Sequence, residues 1–211
     1  MIKERLGMTM VVVAACFVGP LRADLIFNLD QTAISGFSNG NTYATVRLTQ
    51  IDADTVGITE TLGSGEVYAV TGAGKSLDFT IDKPFSYVAG SVSSGFTAYS
   101  SGASAAGYGS YGSYVECTSC GSGTSSPRYS GPLSFQVQNA GGLLLTDFVA
   151  NGSGYYFASD VGLSTGGDSY STGNIASRED AETPEPSAVV LVSAGSGLLL
   201  VKLRKRGKGG R

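Results

Sequence analysis

The chain contains no histidine among its 211 residues, and this limits the chemistry that its side chains can perform. Ser-His-Asp and Cys-His nucleophilic sites both need an imidazole base, and the common zinc sites use imidazole ligands. A pair of carboxylates could hydrolyse a glycosidic bond, but no spacing of Asp and Glu singles out such a pair, and no Trp is present to stack on a sugar. We therefore expect no catalytic residue, no cofactor and a protein that is not an enzyme.

Two cysteines, Cys117 and Cys120, are the only pair outside the N-terminal segment that contains Cys16. In an oxidising compartment such a pair is expected to form a disulfide that closes a tight loop. Thioredoxin-like redox chemistry would need the pair at the start of a helix, whereas the surrounding sequence is rich in glycine. Two thiols without histidine or a second cysteine pair do not complete a zinc site.

Asp52 and Asp54 are weak candidates for a calcium site, because their carboxylates could bind the ion together with backbone carbonyl groups of a turn. Two solvated aspartates in a turn are the commoner explanation for this pattern. No other metal site is expected.

Alternation of apolar and polar residues with a period of two marks half-buried strands in the middle of the chain. Strands are expected at residues 25–27, 44–49, 56–59, 77–82, 133–138, 143–145 and 155–158. Turn sequences such as Asn39-Gly40 and Asn151-Gly152 separate them. Short strands at this spacing predict an all-β domain over residues 24–177, either an antiparallel sandwich or a jelly roll.

Residues 100–127 are rich in Gly, Ser and Tyr and are expected to form a long surface loop. Its tyrosines at positions 108, 111 and 114 are spaced by three. They could form an adhesive or sugar-stacking platform, although aromatic residues in a glycine-rich loop more often serve local packing.

Charge is unevenly distributed along the chain. Residues 24–182 contain 15 Asp and Glu residues and 5 Lys and Arg residues, a net charge of −10. A body this acidic repels nucleic acid and anionic lipid, so nucleic-acid binding is not expected. The remaining basic residues lie near the two ends of the chain.

Residues 1–23 are typical of a secretory signal peptide. Lys3 and Arg5 precede a short apolar run, and Gly19-Pro20 interrupts that run before the expected cut by signal peptidase between Ala23 and Asp24. An uncleaved anchor is one alternative, but the apolar run is shorter than the roughly 20 residues of a membrane span. A lipoprotein cut at Cys16 is another, but the apolar stretch continues beyond it.

The C-terminus has three parts that follow one another after an acidic linker at residues 178–183. Pro184-Glu185-Pro186 holds the chain extended and readable by a protease-like partner. The apolar segment 187–201 is a marginally short membrane helix. A basic cluster then fixes the end on the cytoplasmic side by the positive-inside rule; it consists of Lys202, Arg204, Lys205 and Arg206.

This tail, residues 184–211, resembles the PEP-CTERM sorting signal of Gram-negative bacteria that make extracellular polysaccharide. The resemblance implies that an exosortase, a membrane-embedded cysteine transpeptidase, recognises the tail, cuts near the motif and transfers the body to the envelope or matrix. The inner membrane would be a transient partner through the C-terminal helix. A permanent single-pass anchor is the alternative.

Together these features predict an exported all-β domain between a helical signal segment and a helical sorting segment. We expect a structural or adhesive role in the cell envelope or the exopolysaccharide matrix of a biofilm. The alternative is a carbohydrate-binding or carbohydrate-active β-sandwich protein, with exopolysaccharide as its partner.

Overall fold

The computed structural model of the protein describes residues 24–71 and 75–178. The predicted signal peptide, the linker from residue 179 onward, the Pro-Glu-Pro motif, the apolar segment and the basic cluster lie outside the described residues.

Fourteen strands and one short 3₁₀ helix, Leu145–Asp147, make up the regular structure of the described chain. The strands are β1 (Asp24–Leu29), β2 (Gln31–Thr32), β3 (Ala44–Gln50), β4 (Thr55–Leu62), β5 (Val67–Tyr68), β6 (Leu77–Phe79), β7 (Ser86–Tyr87), β8 (Phe96–Tyr99), β9 (Ala103–Ala105), β10 (Gly109–Tyr111), β11 (Ser113–Cys117), β12 (Leu133–Gln138), β13 (Phe157–Gly166) and β14 (Ser169–Ser177).

The strands form two main antiparallel sheets. The first contains five strands in the order β1-β3-β4-β12-β7. The second contains seven, in the order β2-β14-β13-β6-β11-β8, with β5 also paired to β13. A separate hairpin joins β9 to β10. The prediction of an all-β, antiparallel, sandwich-like domain is therefore confirmed for the described residues.

The core lies between the two sheets and is built from the apolar positions of each alternating strand. Ring centroids of Phe27 on β1 and Phe157 on β13 are 4.9 Å apart, and those of Phe79 on β6 and Phe135 on β12 are 5.6 Å apart. Each pair joins one sheet to the other. The period-two pattern of the sequence thus produces the apolar inner faces on which the fold depends.

Two predicted strands differ from the structure. Residues 143–145 were expected to be extended, but a 3₁₀ helix begins at Leu145. The Asp147 carboxylate accepts a hydrogen bond from the Leu144 backbone N–H at 2.7 Å, which stabilises this turn. The strand expected at 77–82 ends at Phe79. Consecutive apolar residues without alternation do not specify an extended strand. The hydrogen bond from Leu144 to the Asp147 side chain instead favours the 3₁₀ turn.

The prediction of a long surface loop at residues 100–127 is wrong. This segment contains β9, β10 and β11, and the β9–β10 hairpin lies over the outer face of the seven-stranded sheet. Tyr108 and Tyr111 are only 5% and 3% exposed and pack on the small side chains of Ala158 and Ala176. Gly107 supplies the positive φ of 87° that the hairpin turn requires. The tyrosines therefore form a second, smaller core.

In residues 24–71 and 75–178, no helix has both the length and the apolar character of a membrane span.

Candidate functional site

The outer face of the seven-stranded sheet carries an unusual group of buried polar side chains beneath the β9–β10 hairpin. Asp78 on β6 lies between two residues that point into the core, Leu77 and Phe79, so its own side chain points to the outer face. The same alternation places Asp160 on β13 and Asn174 on β14 on that face. The hairpin then covers a surface that a single sheet would leave in water.

Strand register makes these three side chains neighbours, and we call them the covered cluster. Asp160 lies directly opposite Asn174. Asp78 lies opposite Ala158, two residues before Asp160 on the same face. Directly opposed side chains have Cβ atoms about 5 Å apart and diagonal ones about 7 Å apart. Asp160 is therefore adjacent to both of the others, whereas Asp78 and Asn174 lie on opposite sides of β13.

Hydrogen bonding within the covered cluster is incomplete. Asp160 Oδ2 accepts hydrogen bonds from the backbone N–H and the hydroxyl of Thr71, but Asp160 Oδ1 has no donor among the described residues. Among the residues that the structure describes, neither carboxylate oxygen of Asp78 has a donor, and the Asp78 residue is 0% exposed. Asn174 donates from Nδ2 to the Ala106 carbonyl at 3.4 Å, and its Oδ1 has no donor in the same part of the chain. Four buried oxygens thus lack a hydrogen-bond donor in the described chain.

Charge around the covered cluster is negative. Lys75 is the nearest cation, and its Nζ forms an ion pair with Glu116 at 2.8 Å and lies 4.9 Å from the Tyr114 ring centroid. With all carboxyl groups ionised, Asp78, Asp160 and Glu116 outweigh this one lysine by two charges. Burial raises the pKa of Asp78 to about 7; Lys75 opposes this rise, and Asp160 adds to it. Burial also raises the pKa of Asp160 against the opposing hydrogen bonds from Thr71.

A further buried carboxyl group, Glu60, lies inside the core between the two sheets. It occupies the inward face of β4 together with Val56, Ile58 and Leu62. The Tyr68 hydroxyl donates a hydrogen bond to Glu60 Oε2 at 3.1 Å. Burial raises the pKa of Glu60 to about 8, although hydrogen bonds to Ser159 and Tyr68 oppose the shift. At neutral pH Glu60 is therefore mainly protonated.

Asp52 and Asp54, the calcium candidates of the sequence, lie in the exposed turn between β3 and β4. Asp52 Oδ1 accepts the Asp54 backbone N–H at 2.9 Å, and this hydrogen bond is the main cause of the lowered pKa of Asp52. In the part of the chain that the structure describes, no three Cys, Asp or Glu side chains come together as metal ligands. Asp52 therefore acts as a turn-forming residue.

Cys117 and Cys120 are joined by a disulfide, with their Cα atoms 5.5 Å apart. Cys117 is the last residue of β11, and its backbone N–H donates to the Ser76 hydroxyl at 2.9 Å. The bridge therefore ties the chain that leaves β11 back to the last residue of that strand. It lies at the end of a strand and closes a short loop.

Two partly exposed aromatic rings lie on the outer face of β8 and β11. Tyr99 on β8 lies opposite Tyr114 on β11, and their rings stack with centroids 4.7 Å apart and planes 19° apart. Of the three tyrosines that the sequence singled out, Tyr114 is the one on this surface. Tyr99 was not singled out, because strand pairing rather than spacing along the chain brings it there.

Comparison with protein-family models, with curated proteins and with solved structures gives no match to this chain.

Proposed function

We propose that the chain is an exported structural or adhesive protein of a Gram-negative cell envelope or exopolysaccharide matrix. In this proposal a signal peptide directs export, and an exosortase cuts near Pro184-Glu185-Pro186 after transient insertion of a C-terminal helix. The mature protein is the all-β domain, a sandwich or jelly roll. The observation that carries the proposal is the ordered tail of motif, apolar segment and basic cluster in residues 184–211.

The position of the domain is compatible with both cuts. Asp24 already pairs with Thr49 in the first strand, so cleavage after Ala23 would leave β1 intact. Ser177 pairs with Phe157 in the last strand, so cleavage near Pro184 would remove no strand of the domain. Processing at both ends would therefore release a folded body.

The character of the body also supports a role in a hydrated matrix. Its charge of −10 over residues 24–182 favours solvation, and Leu144 is the one large apolar side chain that is exposed among the described residues. The described surface therefore presents mainly polar and charged side chains to its surroundings.

The sorting role is tested by changing the motif and following the protein in cell fractions of its native host. Replacement of Pro184, Glu185 and Pro186 by alanine is expected to leave most of the protein in the inner membrane, because the sorting enzyme no longer recognises the tail. The matched control replaces the flanking Thr183 and Ser187 by alanine and should be distributed like the wild type. Equal distribution of the motif variant and the wild type would contradict the proposal.

Carbohydrate binding is the second candidate function, and the stacked pair Tyr99 and Tyr114 favours it. Tyr99 covers one face of the Tyr114 ring and Lys75 Nζ lies over that ring as well, so the face of Tyr99 turned away from Tyr114 is the one that could stack on the apolar face of a sugar. The neighbouring Lys75 and Glu116 offer charged groups to its hydroxyls. The binding surface would then be the outer face of β8 and β11.

Replacing Tyr99 by serine is expected to weaken binding to the native exopolysaccharide about 2- to 12-fold, since one aromatic contact contributes about 0.5 to 1.5 kcal/mol. Retention on immobilised polysaccharide measures the effect. Tyr170→Ser is the matched control. Tyr170 lies on β14 and is also partly exposed, but the Arg128 guanidinium covers its ring. If Tyr99→Ser and Tyr170→Ser bound equally well, this surface would not be the sugar site.

A further inference from the structure

We propose that a cavity at one end of the five-stranded sheet binds one residue of a neutral glycan. The inference rests on carbohydrate binding, the second candidate function, and is independent of how the chain is sorted. It adds a site that is separate from the outer face of β8 and β11, and it names the class of sugar that this site takes.

Three segments of the chain meet around this cavity, which has a volume of about 400 Å³. Asp54 comes from the turn between β3 and β4, residues 84–86 come from the segment that leads into β7, and residues 138–140 come from the chain that leaves β12. Sites for small ligands typically have volumes of about 300 to 1,000 Å³. The cavity is therefore large enough for a sugar ring.

Backbone hydrogen bonds hold the walls of the cavity in place. The Asn139 N–H donates to the Asp54 carbonyl at 2.9 Å, and Gln138 lies opposite Ser86 in the pairing of β12 with β7. The Asp54 backbone N–H in turn donates to Asp52 Oδ1 at 2.9 Å. A site whose walls are already ordered loses little conformational entropy when a ligand binds.

Phe85 gives the cavity an aromatic wall. Its ring is partly exposed and packs against Phe79 and Tyr87, with centroid distances of 6.1 and 5.5 Å. Pro84 and Ala140 extend the apolar part of the lining. A wall of this kind packs against the C–H face of a sugar ring and removes that face from water.

The polar part of the lining matches the hydroxyl groups of a sugar. Asp54 and Gln138 are exposed, and their side chains form no hydrogen bonds within the described part of the chain. Asn139 Oδ1 accepts the Gly141 N–H at 2.9 Å, which leaves the Nδ2 group of Asn139 as a donor. A carboxylate accepts hydrogen bonds and an amide group both donates and accepts them, so these side chains can bind several hydroxyls of one ring.

Charge decides against an acidic sugar. Asp54 is the only charged residue among the described residues that line the cavity, and the net charge of residues 24–182 is −10. A uronate would bring a second carboxylate close to that of Asp54, and the same lining contains no lysine or arginine to pair with it. The hydroxyls of a neutral sugar can instead donate to the Asp54 carboxylate. The site is therefore suited to neutral glycans.

The ligand class is tested by retention of the full chain, in mild detergent, on two immobilised polymers. One is the native exopolysaccharide, and the other is the same polymer after its carboxyl groups have been reduced to alcohols. We expect the reduced polymer to retain the protein at least as strongly as the native one. Weaker retention on the reduced polymer would overturn the assignment to neutral glycans.

Variants measured on the reduced polymer locate the site. Asp54→Ala is expected to weaken retention about 3- to 10-fold, the effect of losing a hydrogen bond. Phe85→Leu keeps an apolar side chain but removes the ring, and it should weaken retention about 2- to 12-fold. Asp82→Ala is the matched control for the loss of charge, because Asp82 is also exposed but does not line the cavity. Equal retention of Asp54→Ala and Asp82→Ala would overturn the site.

Tyr99→Ser separates a failure of this site from a failure of carbohydrate binding as a whole. If Tyr99→Ser weakens retention and Asp54→Ala does not, the domain binds sugar on the outer face of β8 and β11 and the cavity is not a sugar site. If neither polymer retains the wild type, carbohydrate binding itself is wrong and this inference is wrong with it. Weaker retention of Asp54→Ala than of Asp82→Ala is the result that supports the cavity.

Discussion

Replacing Glu60 by glutamine is expected to make the protein progressively more stable than the wild type as the pH rises from 4.5 to 8. At pH 4.5 the two proteins should differ little, because a protonated carboxyl group and an amide are close in size and both are neutral. By pH 8 the variant should be favoured by up to about 5 kcal/mol in the free energy of unfolding, since one pKa unit corresponds to about 1.4 kcal/mol.

The direction of this change in stability follows from the raised pKa of Glu60, which is about 8 in the folded protein against 4.5 for the free side chain. Between these values the folded state keeps the proton and the unfolded state releases it. The stabilising contribution of the neutral group is therefore complete below pH 4.5 and is lost as the pH rises through 8. Glutamine cannot ionise, so its contribution does not change with pH.

Urea unfolding followed by circular dichroism at several pH values between 4.5 and 8.5 measures this difference. Asp168→Asn is the control for the carboxylate-to-amide change, because the Asp168 side chain is 93% exposed. Its stability curve should run parallel to that of the wild type. Parallel curves for Glu60→Gln as well would show that Glu60 is not buried as a neutral acid.

Phe79→Ala is expected to lower the free energy of unfolding by about 4 kcal/mol, because it removes a large side chain from the centre of the core. Phe79 is fully buried, and its ring lies within 6.5 Å, centroid to centroid, of the rings of Phe85, Tyr87, Phe135 and Phe148. Phe135 belongs to the opposite sheet. The cavity would therefore loosen the contact between the two sheets.

Leu144→Ala is the matched control, because it also truncates a large apolar side chain but at a position that is 52% exposed. Its effect should stay within about 0.5 kcal/mol, as for most surface substitutions. Urea denaturation at one pH compares both variants with the wild type. If Phe79→Ala and Leu144→Ala had equal effects, the proposed packing of the two sheets would be wrong.

The sequence predicts the strands that alternate clearly. β3 and β12 were recognisable because Val46 and Leu48, or Phe135 and Val137, recur at every second position. β14 was not, since its nine residues contain a single large aliphatic side chain, Ile175. It becomes a strand because β13 pairs with it along its whole length, and a single sequence does not reveal that long-range pairing.

The covered cluster could not be predicted for a related reason. Asp78 alternates with Leu77 and Phe79, so the pattern places it on a face that would normally be solvated. It is buried because the β9–β10 hairpin folds over it, and that hairpin lies in a glycine-rich stretch with no strand pattern. The burial of Glu60 could have been predicted, since the alternation of β4 places it on the same inward face as Ile58 and Leu62.

The measurement with most bearing on the proposed function is the intact mass of the protein recovered from its native host, determined together with its cell fraction. A chain that begins near Asp24, ends near Pro184-Glu185-Pro186 and is found outside the inner membrane is the expected result. A chain that retains its C-terminus through Arg211 and stays in the inner membrane would contradict sorting by an exosortase and indicate a permanently anchored protein.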